Sequence, residues 1–154
     1  MPASDTGAAR PADESVTPAH VPPPRTPADA WRWTVVAGYA LAIFWSSSRS
    51  ALPNLPGHLS DKLLHFVGYA VLSLLVIWAS TRGRWRRTTG RVVLLATLIC
   101  AAYGYADEVH QRFVPGRQYD LRDLVADVFG GMTAGVAVWA WGIISRGGER
   151  HDAV

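Results

Sequence analysis

Four apolar segments separated by short polar segments dominate the pattern of this chain. They cover residues 33–48, 63–80, 92–106 and 124–145. In each segment, apolar side chains would occupy every face of a helix instead of one stripe, which is typical of helices buried in a membrane. A spanning helix needs about 20 residues. The second and fourth segments suffice alone, and the others suffice when their ends extend into the flanking polar residues. We therefore predict an all-α integral membrane bundle of four transmembrane helices.

Arginines between the second and third segments predict the orientation of this bundle. Residues 81–91 read TRGRWRRTTGR and contain five arginines and no acidic residue. Short loops rich in Lys and Arg stay on the cytoplasmic side of a membrane. With four spans, both termini are then cytoplasmic, and the other two loops face outward.

Composition divides the 154-residue chain into one folded domain with a tail at each end. Residues 1–30 contain seven of the ten prolines and no apolar periodicity, so we predict a disordered cytoplasmic tail. Residues 31–146 form the predicted transmembrane domain, and residues 147–154 form a short C-terminal tail. The late start of the first apolar segment favours an uncleaved helix over a signal peptide.

Charge and cysteine content exclude several classes of function. The net charge is +3, and fourteen of the fifteen basic residues are Arg. No basic patch is interleaved with aromatic residues, so we expect no nucleic-acid partner. Cys100 is the only cysteine, which excludes an internal disulfide and a multi-cysteine metal site. We predict no cofactor.

Polar residues that border the apolar segments concentrate at the outward helix ends. Spacings of three and four place them on shared helix faces. They are Asp61, His65 and Tyr69 on the second helix; Asp107, Glu108 and Gln111 on the third; and Asp120, Asp123 and Asp127 on the fourth. We predict that these faces form one outward cluster.

His65 and Asp127 lie deeper than the rest of this cluster. Each is about one helical turn below the start of its helix, where an ionisable group is costly without a partner. Two interpretations stay open: a structural network that holds the helices together, and a functional site. The same choice applies to Asp61, because a carboxylate near a helix N-terminus also serves as a cap.

Two backbone motifs predict local geometry. Pro115 and Gly116 suit the centre of a type II turn between the third and fourth helices. Gly131 and Gly135 form a G-x-x-x-G pattern, which predicts close packing against another helix and specifies no chemistry.

Arg117 follows the predicted turn. We expect it beside Asp107, Glu108 and Asp123. There it either closes the hairpin through a salt bridge or grips a phosphate or carboxylate with two N–H groups.

Established catalytic motifs are absent from the sequence. The chain lacks the H-E-x-x-H zinc motif, the G-x-S-x-G elbow and the P-loop. Candidate metal ligands lie in the cluster, but their spacing is not diagnostic, so the sequence assigns no metal. These candidates are His65, His110, Asp107, Glu108 and Asp127.

Two ordered motifs carry a resemblance to a known family. They are Asp61-Lys62-x-x-His65-Phe66-x-x-Tyr69, and Asp107-Glu108-x-x-Gln111-x-Phe113-x-Pro115-x-Arg117 followed by Asp120, Asp123 and Gly130. Both resemble motifs of the VanZ-like membrane proteins, over about residues 37–144. Asp127 stands where that family usually has Asn. This additional carboxylate should be protonated or paired with His65 or Arg117.

The resemblance implies a small multi-pass protein of a bacterial plasma membrane. The family takes its name from accessory resistance to the antibiotic teicoplanin, a phenotype that specifies no reaction. Whether this chain is an enzyme therefore stays open.

Our first hypothesis is a non-catalytic envelope protein that binds or shields a lipid head group or a lipoglycopeptide, with teicoplanin-type resistance as a consequence. Arg117, Lys62 and the serines at 46–48 would contact the ligand, while the carboxylates and His65 would shape the pocket. The predicted ligand-binding residues are Asp61, Lys62, Tyr69, Gln111, Arg117, Asp120, Asp123 and Asp127.

The alternative is a membrane-embedded enzyme that acts on a lipid-linked or cell-wall precursor. Asp107 or Glu108 would then be the general acid or base, with His65 as partner and Arg117 stabilising negative charge. A transporter or channel fragment ranks last, because charges at mid-membrane depth are absent.

Overall fold

The structure is a computed structural model that describes residues 27–49 and 59–151. Within these ranges the chain forms four helices. Their bounds are α1 Pro27–Ser47, α2 Leu59–Ser80, α3 Gly90–Gln111 and α4 Leu121–His151, with a short 3-10 turn at Trp85–Arg87 before α3. No strand occurs within these ranges, so the prediction of an all-helical protein is confirmed. Most of the predicted N-terminal tail and the last three residues lie outside the described ranges.

Three of these helices match the length and apolarity of membrane spans. They are α2 over Asp61–Ser80, α3 over Gly90–Gln111 and α4 over Leu121–Ser145. Helix α1 has 21 residues but is not among these three.

Large apolar side chains lie on the outside of the bundle, as expected of a surface that faces lipid. Leu94 and Leu98 of α3 and Phe129 and Ile144 of α4 are all exposed. The interior is instead built from residues of α2 such as Leu72 and the small Cys100 of α3, both buried. The interior is thus apolar as in a soluble protein, and the many large apolar side chains on the exterior are what distinguish this bundle.

Glycines of α4 let it approach its neighbours closely. A Cβ atom at Gly131 would lie 2.8 Å from Cys100 Sγ of α3, and one at Gly135 would lie 2.9 Å from a methyl of Val93. The G-x-x-x-G prediction of close packing is therefore confirmed. Gly130 faces α2, where an added Cβ would collide with the backbone carbonyl of Phe66.

The antiparallel helices give the bundle two chemically different ends. One end consists of residues 81–91, the start of α1 and the finish of α4, and we call it the arginine end. There Arg82 pairs with Asp29 at 3.3 Å and Arg86 donates to the carbonyl of Ser145 at 2.9 Å. The opposite end, where α1 and α3 finish and α2 and α4 begin, is the polar end.

Candidate functional site

A cavity of about 280 Å³ lies at the polar end, between α1, α2 and α3. Because of helix periodicity, three polar side chains of α2 and two of α3 lie on its wall. These polar groups are Asp61, His65, Tyr69, Asp107 and Gln111. Their shared location agrees with the faces that the sequence spacing predicts for α2 and α3.

Asp107 connects α1 to α3 at the cavity wall. Its carboxylate is 3% exposed and accepts hydrogen bonds from the Ser47 hydroxyl at 2.5 Å and from Gln111 Nε2 at 3.3 Å. Nearby, the Ser48 hydroxyl lies 2.9 Å from His110 Nε2. The serine run at 46–48 signals polar contacts at this end, but only the folded chain shows which serine meets which partner.

His65 and Asp127 form the deeper pair of the site. His65 Nδ1 lies 3.0 Å from Asp127 Oδ1, so the additional carboxylate is paired with this histidine. Asp127 is fully buried, and Gly104 of α3 leaves room for it, since a Cβ there would lie 2.6 Å from Asp127 Oδ2. On the other side of the imidazole ring, Nε2 lies 4.0 Å from Asp123 Oδ2.

Lys62 joins α2 to the start of α4. Its ammonium lies 2.7 Å from Asp123 Oδ1 and 2.9 Å from Asp120 Oδ2. The hydrogen bond from Lys62 holds the pKa of the Asp120 carboxyl below its usual range. Asp120 also caps α4, because its other oxygen accepts from the backbone N–H of Arg122 at 2.8 Å. Lys62 is thus engaged in an interhelical network next to the cavity wall.

Glu108 faces α4. It is fully buried, and its Oε2 accepts from the backbone N–H of Asp120 at 2.9 Å. Of the three acid–base candidates, His65 and Asp107 line the cavity, whereas Glu108 ties α3 to the beginning of α4.

Arg117 reaches the cavity through a tight turn. The N–H of Arg117 donates to the carbonyl of Val114 at 3.1 Å, and Gly116 has φ of 81°, which confirms the type II turn. The sequence predicts Asp107, Glu108 and Asp123 as neighbours in a salt bridge. The structure instead places Arg117 Nη1 3.9 Å from Asp61 Oδ1, because the turn directs the side chain toward α2.

Several buried polar atoms of this end accept or donate no hydrogen bond within the described ranges. They are Asp61 Oδ1, Tyr69 Oη, Glu108 Oε1 and Asp127 Oδ2. Buried polar atoms in folded proteins are nearly always paired. Ordered water, an ion or the polar group of a ligand would satisfy them.

Comparison with known proteins agrees with the motifs. A profile of the VanZ/LLP1 family matches residues 23–143, and no solved structure matches the chain. An uncharacterized protein of Schizosaccharomyces pombe is 31% identical over 102 residues, which are 66% of this chain and 60% of the yeast protein. The chain therefore spans less than two thirds of the length of this relative. The family match covers α1 to α3 and most of α4, and three of the four helices are long and apolar enough to span a bilayer. This multi-pass membrane protein therefore belongs to the VanZ/LLP1 family.

Proposed function

We propose that this protein spans the membrane four times and that the cavity at its outward polar end binds the head group of an envelope lipid. The observation that carries the proposal is the cavity itself. It places the Arg117 guanidinium and the carboxylates of Asp61 and Asp107 around one space. In the proposed topology this space would lie near the lipid head groups, because it opens at the outward ends of the helices.

The proposed topology treats α1 as the fourth span. Asp29 near its start contacts Arg82, and Ser47 at its finish contacts Asp107, so α1 runs between the same two ends as α3. Its 21 residues correspond to about 31 Å of helix, close to the hydrocarbon thickness of a bilayer. The arginine end would be cytoplasmic by the positive-inside rule, with both termini on that side.

The domain division follows from this topology. Residues 1–30 would be a cytoplasmic tail, residues 31–146 the membrane domain and residues 147–154 a short cytoplasmic segment. The plasma membrane of a bacterium is the location that the VanZ resemblance implies.

The charges in the cavity favour a zwitterionic head group with a phosphate and an ammonium, as in phosphatidylethanolamine. Arg117 would bind the phosphate, because guanidinium N–H groups match phosphate oxygens. Its 3.9 Å separation from Asp61 Oδ1 exceeds hydrogen-bond length. Asp61 and Asp107 would receive the ammonium. Ile43 and Leu64, which also line the cavity, offer apolar contact for the first carbons of the lipid.

A phospholipid, in preference to a cell-wall precursor, is the ligand that this proposal commits to, because the cavity combines a cation, two carboxylates and apolar side chains. Binding of a lipoglycopeptide or a lipid-linked precursor, and any teicoplanin-type resistance, would then be a specialisation of the same pocket.

One observation favours catalysis as the alternative. His65 lines the cavity, and its Nδ1 is held by the buried Asp127. A carboxylate in this position orients a histidine as a general base. Asp107 lies on the same cavity wall and would be the second acid–base group. The substrate would be a lipid-linked or cell-wall precursor, and purified protein that turns over no such compound would argue against this alternative.

Native mass spectrometry of the full chain in detergent tests head-group binding. Phosphatidylethanolamine should remain bound to wild type and to Arg122→Ala, an exposed arginine of the same end that is not part of the cavity wall. Arg117→Ala should weaken binding at least about tenfold, the loss expected for one charge-assisted contact. Equal retention by both variants, or no retention by wild type, would overturn the proposal.

The same variants decide the resistance question in a susceptible Gram-positive host. Teicoplanin protection by wild type and Arg122→Ala, and its loss in Arg117→Ala, would connect the pocket to resistance. Protection that survives Arg117→Ala would separate resistance from the pocket.

A further inference from the structure

We propose that Asp61, His65 and Asp123 bind a divalent transition-metal ion at the junction of α2 and α4. These three residues each offer one ligand atom, and the three atoms lie within 4.8 Å of one another. The inference concerns an ion site beside the cavity and stands whether or not the cavity binds a lipid.

The spacing suits ligands of one ion better than a direct ion pair. His65 Nε2 and Asp123 Oδ2 are 4.0 Å apart, which is too long for a hydrogen bond. Metal–ligand bonds of about 2.0–2.2 Å separate two ligands of one ion by roughly 3–4 Å.

Each of the three ligands is supported by a second charged residue. Asp127 Oδ1 lies 3.0 Å from His65 Nδ1, and Lys62 Nζ lies 2.7 Å from Asp123 Oδ1. Arg117 flanks Asp61 at 3.9 Å. A carboxylate behind the coordinating histidine is a common feature of metal sites, because it orients the ring and makes the far nitrogen a better ligand. With the proton on Nδ1, the Nε2 lone pair faces Asp123.

Further support comes from buried polar atoms that make no hydrogen bond in the described part of the chain. Asp61 Oδ1 is such an atom, and it belongs to a ligand of the proposed site. The Tyr69 hydroxyl is another; its residue is 1% exposed and lines the cavity with Asp61 and His65. A bound cation would satisfy the carboxylate. A water molecule or ligand oxygen on that cation would lie toward the cavity.

The ligand set indicates the class of metal. Two carboxylates and one imidazole suit borderline and hard ions such as Zn²⁺ and Mn²⁺, and they disfavour Cu⁺, which prefers thiolates and thioethers. Three protein ligands leave at least one coordination position open, as in catalytic zinc sites. Because Asp61 and His65 line the cavity, that position would face it.

The competing explanation is a protonated His65 that pairs with Asp123 and Asp127 without any metal. Isothermal titration of chelator-treated full chain with Zn²⁺ and with Mn²⁺, in detergent without added lipid, separates the two. Wild type should bind one equivalent, and so should His110→Gln, a histidine of the same end that contacts Ser48. His65→Gln and Asp123→Asn should weaken binding at least about 100-fold, and Asp127→Asn about 10–100-fold.

A measurement on wild type alone protects the test against variants that fail to fold. Pulsed EPR of the Mn²⁺-loaded protein, prepared with and without ¹⁵N-histidine, should show coupling to a histidine nitrogen. Absence of stoichiometric metal, equal binding by the ligand variants, or no nitrogen coupling would each overturn the proposal. Lipid binding measured in chelator reports on the head-group proposal separately.

Discussion

The arginine end and the polar end of this bundle use their charges differently. At the arginine end, Asp29 of α1 pairs with Arg32 at 2.6 Å and with Arg82 at 3.3 Å, and Arg86 donates to a backbone carbonyl. The side chains of these two ion pairs are 19–36% exposed, and the Arg32 guanidinium also lies over the rings of Trp31 and Trp78. At the polar end, charged side chains of α2 and α4 pair with each other below the helix ends.

Buried atoms that make no hydrogen bond show a second difference between the two ends. Among the described residues, those of the arginine end are Arg32 Nε and Ser80 Oγ, whereas those of the polar end include carboxylate oxygens of Asp61, Glu108 and Asp127. Each of these three carboxylates has one partner, which is Arg117, the Asp120 backbone N–H or His65, and each keeps one oxygen that makes no hydrogen bond. We infer that the arginine end serves orientation and the polar end serves binding.

The largest expected effect comes from removing the histidine of the deep pair. His65→Ala leaves the fully buried Asp127 without its partner, which should lower the free energy of unfolding by about 3–5 kcal/mol. Arg82→Ala, which breaks the more exposed pair at the arginine end, should cost under about 1 kcal/mol. Unfolding in mixed micelles with chelator present measures both.

A double replacement sharpens this test. His65→Leu with Asp127→Leu should recover much of the loss, because no buried charge remains unpaired. Equal losses for His65→Ala and Arg82→Ala would contradict the difference between the two ends.

Glycine positions provide the next largest contrast. Gly130→Ala forces a methyl into the Phe66 carbonyl where α2 meets α4, which should lower the free energy of unfolding by about 1–3 kcal/mol. Gly142→Ala near the arginine end meets only ordinary contacts, 3.7 Å or more away, and should be neutral or slightly stabilising because Ala favours helix. Similar free energies of unfolding for the two variants would show that α4 packs no more tightly against α2 than against Trp85 and Arg86 near the arginine end.

The smallest expected effect is the pH response of Asp120. Its folded-state pKa is below the usual 3.8, since Lys62 stabilises the carboxylate. Its contribution to stability is therefore complete above the unfolded pKa and is lost as pH falls through the folded pKa. Titration of the Asp120 carboxyl carbon by NMR should show the low midpoint, and Lys62→Met should raise it. An unchanged midpoint in Lys62→Met would show that the ion pair is absent in solution.

Local sequence patterns predicted the features that depend on neighbouring residues. Apolar segments located the helices, and Pro115 with Gly116 predicted the turn that the structure contains. The depth of His65 and Asp127 indicated that each needs a partner, and the structure pairs them. These predictions succeed because helix periodicity, turn geometry and the cost of a buried charge act over a few residues.

Tertiary structure alone decided which helix faces meet. Ser47 donates its hydroxyl to Asp107, and the backbone N–H of Asp120 donates to Glu108. Arg117 lies beside Asp61 instead of forming the salt bridge that we expected with Asp107, Glu108 or Asp123. Spacing along one helix cannot supply such pairs, because they depend on the rotation and separation of different helices. The close approach of α4, which its glycines allow, brings Asp123 and Asp127 to His65 and forms the site that we propose for a metal ion.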